Sequence, residues 1–235
     1  MTNIQKSPPP PIILASGSPR RRELLALIIP EFERLSLDLD ETVLPDELPG
    51  AYTLRVSHAK AQAARNHIPA GAIIIAADTT VADDTQILGK PADDDEAHAM
   101  LAQLRGRAHQ VYTAITLIDT QRDQVVQDLA ITDVVMRPYG DDEMAAYIAS
   151  RDPFDKAGGY AIQNQEFAPV ANINGCYANV VGLPLCHLMR ALQRLGVNLN
   201  TDTPGACQDF NAIDCPVYTA VLENQSSDGR VPDVE

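Results

Sequence analysis

The chain has 235 residues, enough to bury a full core as one large domain or two small lobes, and its 45% apolar content excludes a disordered chain. A formal net charge of −14 excludes general affinity for nucleic acid or an anionic membrane, so any phosphate-bearing ligand needs a local cationic pocket, and the 18 Lys and Arg count by position. No apolar run approaches the roughly 20 residues of a membrane span. The proline run from Pro8 to Pro11 is incompatible with a signal-peptide core, and residues 1–11 read as a loose arm. Without an export signal the expected location is the cytoplasm, where Cys176, Cys186, Cys207 and Cys215 stay thiols. Their separations of 10, 21 and 8 residues match no zinc motif; buried free thiols are the expectation, with a zinc site tying down the tail as the alternative.

Residues 12–15 form a short apolar run, predicted as a buried strand. Ser16-Gly17-Ser18 turns the chain into a helix with Ser18 as N-cap, Pro19 as first helical residue, and Leu24, Leu25 and Ile28 on its apolar face. A second helix is predicted over 51–66, with Tyr52, Val56, Ala59 and Ala63 on one side. Residues 72–77 predict a buried strand ending at Asp78, followed by a hairpin that turns at Asp83-Asp84 and returns through Ile87-Leu88. Asp93 or Asp94 caps a helix that Gly106 ends, with Ala97, Met100, Leu101 and Leu104 inward. Residues 110–119 and 125–136 alternate as two long paired strands, and 141–150 form a short helix. Two strand-like stretches, 170–173 and 177–181, precede a helix over 184–195. Beyond Gly196 the pattern fades into a segment with seven acidic residues and one basic residue, read as a partly ordered acidic tail. Early alternation of strand and helix with paired strands in the middle gives an α/β fold with a mixed sheet.

Three segments carry chemistry. Ser16 to Arg22 reads S-G-S-P-R-R-R between a strand and a helix; free backbone N–H groups, two hydroxyls, and arginines in a first turn that otherwise disfavours cations make a phosphate cradle. The bland reading is a capped helix with solvated arginines. A-A-D-T-T-V puts Asp78 at the end of a buried strand, where a carboxylate can hold a divalent ion or take a proton from water, or merely open a turn. In D-P-F-D-K-A-G-G-Y-A-I-Q, residues 152–163, the glycine pair permits close backbone approach, Lys156 can contact phosphate, and Gln163 offers a donor and an acceptor to a base edge. Walker A, G-x-G-x-x-G, H-E-x-x-H and C-x-x-C patterns are absent, and the five histidines lack metal-ligand spacing.

Taken in order, these segments resemble the Maf family of nucleotide pyrophosphatases. A-K-A at 59–61, G-K-P at 89–91, H-Q-V-Y-T at 109–113 and V-V-G-L-P-L at 180–185 match as well, so the resemblance runs from about residue 12 to residue 196. It implies a Maf/ITPase-like α/β fold, an elongated mixed sheet flanked by helices, with two lobes around a central cleft. The pyrophosphatase domain would span 12–199, between the arm at 1–11 and an acidic extension at 200–235. Asp78 would be the catalytic proton acceptor and, with Glu41 of D-E-T, would hold a divalent cation, Mg²⁺ or Mn²⁺. Ser16, Ser18 and Arg21 would hold phosphates; Lys60, Lys90, Asp155 and Lys156 would line the triphosphate channel; Arg20, Thr79 and Gln163 would set the base. In the branch this chain is similar to, Arg, Thr and Gln there go with dTTP and UTP, and modified pyrimidine nucleotides come within reach. The alternatives are a pyrophosphatase of the same fold acting on 7-methyl-GTP or another nucleotide, and a nucleotide-binding regulator of cell division without turnover. By analogy alone the resemblance implies a homodimer. The chain departs from the pattern at Asn164, where Gly is usual, and at Cys176, where Ser is common.

Overall fold

A computed structural model describes residues 10–223. The chain runs β1 (Ile12–Ala15), α1 (Pro19–Ala26), β2 (Glu33–Arg34), α2 (Pro49–Arg65), β3 (Ile73–Asp83), β4 (Gln86–Leu88), α3 (Asp94–Leu104), β5 (Ala108–Asp119), β6 (Gln124–Met136) and α4 (Asp141–Ala149). Two short 3-10 turns, Asp152–Asp155 and Ala157–Gly159, lead to β7 (Val170–Asn174), α5 (Tyr177–Val181), α6 (Leu185–Arg194), α7 (Thr203–Asn211) and α8 (Tyr218–Glu223). One sheet holds all seven strands in the order β2-β1-β3-β5-β6-β7, with β4 also on β3. β1 runs parallel to β2 and β3, and every other pairing is antiparallel, so the sheet is mixed as expected.

The long strands β3, β5 and β6 carry three core clusters, two on opposite faces at one end and a third at the other. Near the start of β3, alternate residues face opposite ways. Leu14, Ile73, Ile75 and Ala77 pack with α1 and α6. Ile13, Ala15, Ile74 and Ala76 pack with Ala61 and Ala64 of α2. At the far end, Val81, Leu88, Val111, Val134 and Met136 pack with α3 and α4. Between Ala77 and Val81 lie Asp78, Thr79 and Thr80, polar residues in the middle of the strand. This is the two-lobed arrangement expected, with the junction at Asp78.

Three expectations need correction. Asp78 does not end its strand: β3 continues to Asp83, because Thr79, Thr80 and Val81 are β-branched and pair in register with Thr113, Tyr112 and Val111. Residues 177–181 are helical. A short apolar run does not distinguish strand from helix, and here β7 already occupies the free edge of β6. In that helix the fully buried Asn179 donates to the Val111 carbonyl at 3.0 Å and to Thr132 Oγ1 at 2.8 Å. The inward stripe of α2 is Tyr52, Thr53, Val56, Ser57, Ala61 and Ala64, leaving Ala59 and Ala63 half-buried. Two hydroxyls on that stripe hide it from a hydropathy reading: Thr53 donates to the Pro49 carbonyl at 2.6 Å, and Ser57 shares a 2.7 Å hydrogen bond with Thr116. The segment after Gly196, expected to be partly ordered, carries two short helices among the described residues, α7 and α8. Asp202 caps α7 through the Gly205 N–H at 3.1 Å, and Cys207 joins the core beneath α6. Arg190 of α6 ties α8 down, donating to the Val221 carbonyl at 2.9 Å while pairing with Asp128 at 2.6 Å. The expected arm falls almost wholly outside the described residues, as does the tail beyond 223.

All four cysteines are free thiols. Burial raises Cys176 and Cys186 to about 12 and Cys207 to about 11, so they are protonated and unreactive at neutral pH. Among the described residues, no group of three or more His, Cys, Asp or Glu side chains is arranged to hold a metal ion.

Candidate active site

The site begins as a gap in the sheet. On the side of β3 away from β5, β1 pairs as far as Ala76, and β4 pairs from Val81 onward. Residues 77–80 therefore have no strand neighbour on that side, and side chains from both faces of the sheet converge there. β1 ends at the same level, so the turn at Ser16-Gly17-Ser18 and the start of α1 open onto the gap. A cleft of about 320 Å³ fills it, lined by Ser18, Arg20, Arg21, Glu41, Lys60, Asp78, Thr79, Lys90, Asp155, Lys156 and Gln163. An adjoining hollow of about 330 Å³ adds Ser16 and Gly17. Every site residue expected from the sequence lies on one of these two surfaces.

The helix start is built as expected. Ser18 Oγ accepts from the Arg21 N–H at 3.4 Å, and Pro19 supplies the first turn. Ser16 Oγ accepts from the Ser18 N–H at 3.2 Å and from an Arg21 guanidinium N–H at 3.4 Å. Both serines only accept in these contacts, which leaves each hydroxyl proton for an incoming oxygen anion. Arg21 also donates to the Gly182 carbonyl and to Thr79 Oγ1, each at 2.9 Å. Burial lowers its pKa, and the charges of Asp78 and Glu41 oppose that shift.

Two residues without an expected role, Thr113 and Gly182, complete this part. Thr79 and Thr113 are direct partners across β3 and β5, with hydroxyls 2.9 Å apart. Thr113 donates its proton to the Asn179 carbonyl at 2.9 Å, so Thr79 must donate to Thr113 and accept from Arg21. Every proton in the chain from Arg21 through Thr79 and Thr113 to Asn179 is thereby directed, and Thr79 can offer a ligand only a lone pair. Thr113 lies in H-Q-V-Y-T and Gly182 in V-V-G-L-P-L, so both motifs were legible, but their meeting depends on strand register and on α5.

On the other face, Lys60 of α2 reaches Asp78. Its ammonium lies 2.6 Å from Asp78 Oδ1 and 2.8 Å from Glu41 Oε1. The Asp78 side chain is 7% exposed, against 44% for Glu41, so Asp78 depends on this contact for its counter-charge. Among the described residues its second oxygen has only Thr80 Oγ1, at 3.4 Å. Tyr52, also unexpected here, donates to the Glu41 carbonyl at 2.9 Å and fixes the Glu41 loop on α2. Burial, with the charges of Asp78 and Glu41, raises the Tyr52 hydroxyl to about 12.

The opposite wall is the glycine-rich loop. Lys156 is buried, and its ammonium meets the Asp152 carbonyl at 2.5 Å, Asp152 Oδ1 at 2.8 Å and Asp155 Oδ1 at 2.5 Å. All three of its protons are committed, so it delivers no free charge to the cleft. Asp155 also faces Arg20 at 3.6 Å. Lys90, exposed and on both cavity surfaces, has no ion-pair partner among the described residues. Gly158, at φ +69°, donates its N–H to the Gly89 carbonyl at 2.9 Å and so joins the Lys90 and Lys156 loops. Gln163 is exposed on the cleft rim. Asn164, where the family pattern has Gly, accepts from the Phe167 N–H at 2.8 Å and donates to Asp152 at 3.1 Å, so it anchors the Gln163 loop to the residue that holds Lys156.

Five cationic and three anionic side chains line the cleft, and Asp152 behind it offsets Lys156, leaving one net positive charge in a chain of net −14. By fold and site this is a protein built to take a chain of phosphates. The family described as Maf-like protein matches residues 11–195, and the chain belongs to that family. It is 45% identical over 179 residues to the dTTP/UTP pyrophosphatase of Carboxydothermus hydrogenoformans, covering 76% of this chain and 95% of that one. It is 46% identical over 180 residues to the dTTP/UTP pyrophosphatase of Geotalea uraniireducens, covering 76% and 92%. A solved structure, the Staphylococcus aureus Ham1 protein, matches at 16% identity with a TM-score of 0.38 over 55% of this chain and 74% of that one, too slight a likeness to argue from.

Proposed function

We propose that the chain is a nucleoside triphosphate pyrophosphatase that converts dTTP and UTP to the monophosphate and pyrophosphate. The observation that carries this reading is the buried carboxylate of Asp78 at the gap in β3, facing a cradle of Ser16, Ser18 and Arg21. Those three groups hold phosphate oxygens, Lys60 and Lys90 neutralise the rest of the chain, and Lys156 holds Asp152 and Asp155 in the wall that Arg20 faces. A water on the α-phosphorus gives its proton to Asp78 as its oxygen bonds to phosphorus; the bond to the α–β bridging oxygen breaks, and pyrophosphate leaves. Asp78 and Glu41 already converge on a single cation, the Lys60 ammonium, so their oxygens fit a divalent ion that also draws on phosphate oxygens. Such an ion, Mg²⁺ or Mn²⁺, supplies neutralising charge and lowers the pKa of bound water. The reaction belongs to residues 12–199, and the enzyme is assigned to the cytoplasm; no helix among the described residues is long and apolar enough to cross a membrane.

Base choice is assigned to the rim. Gln163 is free to pair with a pyrimidine edge, Thr79 offers only an acceptor, which suits an imide N–H, and Arg20 confines the pocket. A panel of triphosphates with Mg²⁺ or Mn²⁺ tests both parts. Pyrophosphate release from UTP and dTTP, with selectivity lost in Gln163→Ala, is expected. Nucleoside diphosphate and orthophosphate as main products overturn the reaction assignment; preference for 7-methyl-GTP overturns the base assignment.

A further inference from the structure

We propose that the Lys60 ammonium occupies the divalent-cation position of the nucleotide-free protein, so that metal enters only with nucleotide and Lys60 moves onto phosphate as it does. This rests on the reading of the site as a metal-assisted pyrophosphatase. The geometry is that of a stand-in cation: one ammonium within 2.8 Å of both Glu41 and Asp78, the only carboxylates assigned to the metal. The Lys60 side chain is 17% exposed, so the contact is largely shielded from solvent. With Lys60 in place, a divalent ion entering alone would have to share two carboxylates with a cation already within hydrogen-bond distance of both. Mg²⁺ gives up its water reluctantly and binds through one or two carboxylates plus phosphate oxygens, so two contested carboxylates are a poor site for it. A bound triphosphate changes the balance. It brings three or more negative charges, and its oxygens can receive both the metal and the ammonium. Lysine suits this exchange, being a compact charge on a flexible four-carbon stem. Tyr52 and the short Thr42 turn hold the Glu41 loop in place, so the carboxylates can stay while Lys60 swings.

The same argument makes metal and nucleotide binding mutually reinforcing, and it assigns the coupling to one side chain. Removing the ammonium leaves two facing carboxylates without their shared cation, and a divalent ion is the natural replacement. The coupling then shrinks, because metal affinity no longer waits on nucleotide.

Binding of Mn²⁺ to nucleotide-free protein, read from the free-ion electron paramagnetic resonance signal, tests this without turnover. Lys60→Met and Lys60→Gln are expected to bind Mn²⁺ on the order of tenfold more tightly than the parent. An α,β-methylene UTP analogue is expected to tighten Mn²⁺ binding to the parent more than to either variant. Adding Asp78→Asn to Lys60→Met is expected to abolish the gain. Folded Lys60 variants with parent-like or weaker Mn²⁺ affinity overturn the proposal, as does a gain that survives Asp78→Asn. A parent that releases pyrophosphate while its Lys60 variants show no gain refutes this proposal and spares the enzymatic reading; a parent that hydrolyses nothing refutes the latter.

Discussion

Asp78 is held where its role demands, on a rigid strand with one oxygen against Lys60 and the other accepting from the Thr80 hydroxyl at 3.4 Å. Asp78→Asn keeps the shape and removes the proton acceptor, so kcat is expected to fall about 10²–10⁴-fold, roughly 3–5 kcal/mol, while nucleotide affinity measured without divalent metal changes little. Turnover within a few-fold of the parent in a folded variant would show that Asp78 merely shapes the strand. Thr113 acts at one remove. Thr113→Val takes away the acceptor of the Thr79 proton and the donor to Asn179, and Arg21 loses the group that orients its partner. A drop in kcat/KM of roughly tenfold, restored by Thr113→Ser, is expected. Loss of stability with unchanged kinetics would make Thr113 a packing residue only.

At the scale of elements, the loops that close the cleft depend on one glycine. A Cβ at Gly158 would sit 2.8 Å from Val81 Cγ1, and φ is +69°. Gly158→Ala is therefore expected to cost about 1–3 kcal/mol and to raise KM for the triphosphate, since the residue ties the Lys90 loop to the Lys156 loop. Gly71→Ala, with φ +104° and nothing nearer than 3.8 Å, carries only the backbone penalty. Comparing the two urea midpoints separates collision from strain, and equal losses would dismiss the collision. The elements themselves were largely legible. The strand-turn-helix at Ser16, both long paired strands and the caps at Ser18 and Asp93 follow from local spacing and capping chemistry. What local sequence could not show was long-range. The continuation of β3 through Asp78 depends on Thr113 and Tyr112 opposite, the helical form of 177–181 depends on a sheet edge already taken, and the Thr79–Thr113 contact is set by register. Lys156 is a local case: the 3-10 turn over Asp152–Asp155 wraps both carboxylates onto an ammonium within four residues of them.

For the whole molecule, acid sensitivity follows from two buried histidines. Burial lowers His109 and His187 from 6.5 to about 4; His109 Nε2 is hydrogen-bonded to Tyr160 at 2.7 Å. Between those values the unfolded chain binds protons that the native state does not. Stability is therefore full above about pH 6.5 and falls as pH drops toward 4, by at most about 3 kcal/mol for each histidine. Denaturation midpoints at pH 7, 5.5 and 4.5 should fall in that order, with a shallower slope in His109→Gln. A parent midpoint that holds or rises across that range would contradict the assignment.

Catalysis by this site requires water to attack the α-phosphorus in the gap of β3. Turnover of UTP in ¹⁸O-water, with mass analysis of both products, tests this directly. Attack at the α-phosphorus puts the label in UMP and leaves pyrophosphate unlabelled; label in pyrophosphate, or UDP with labelled orthophosphate, would contradict it.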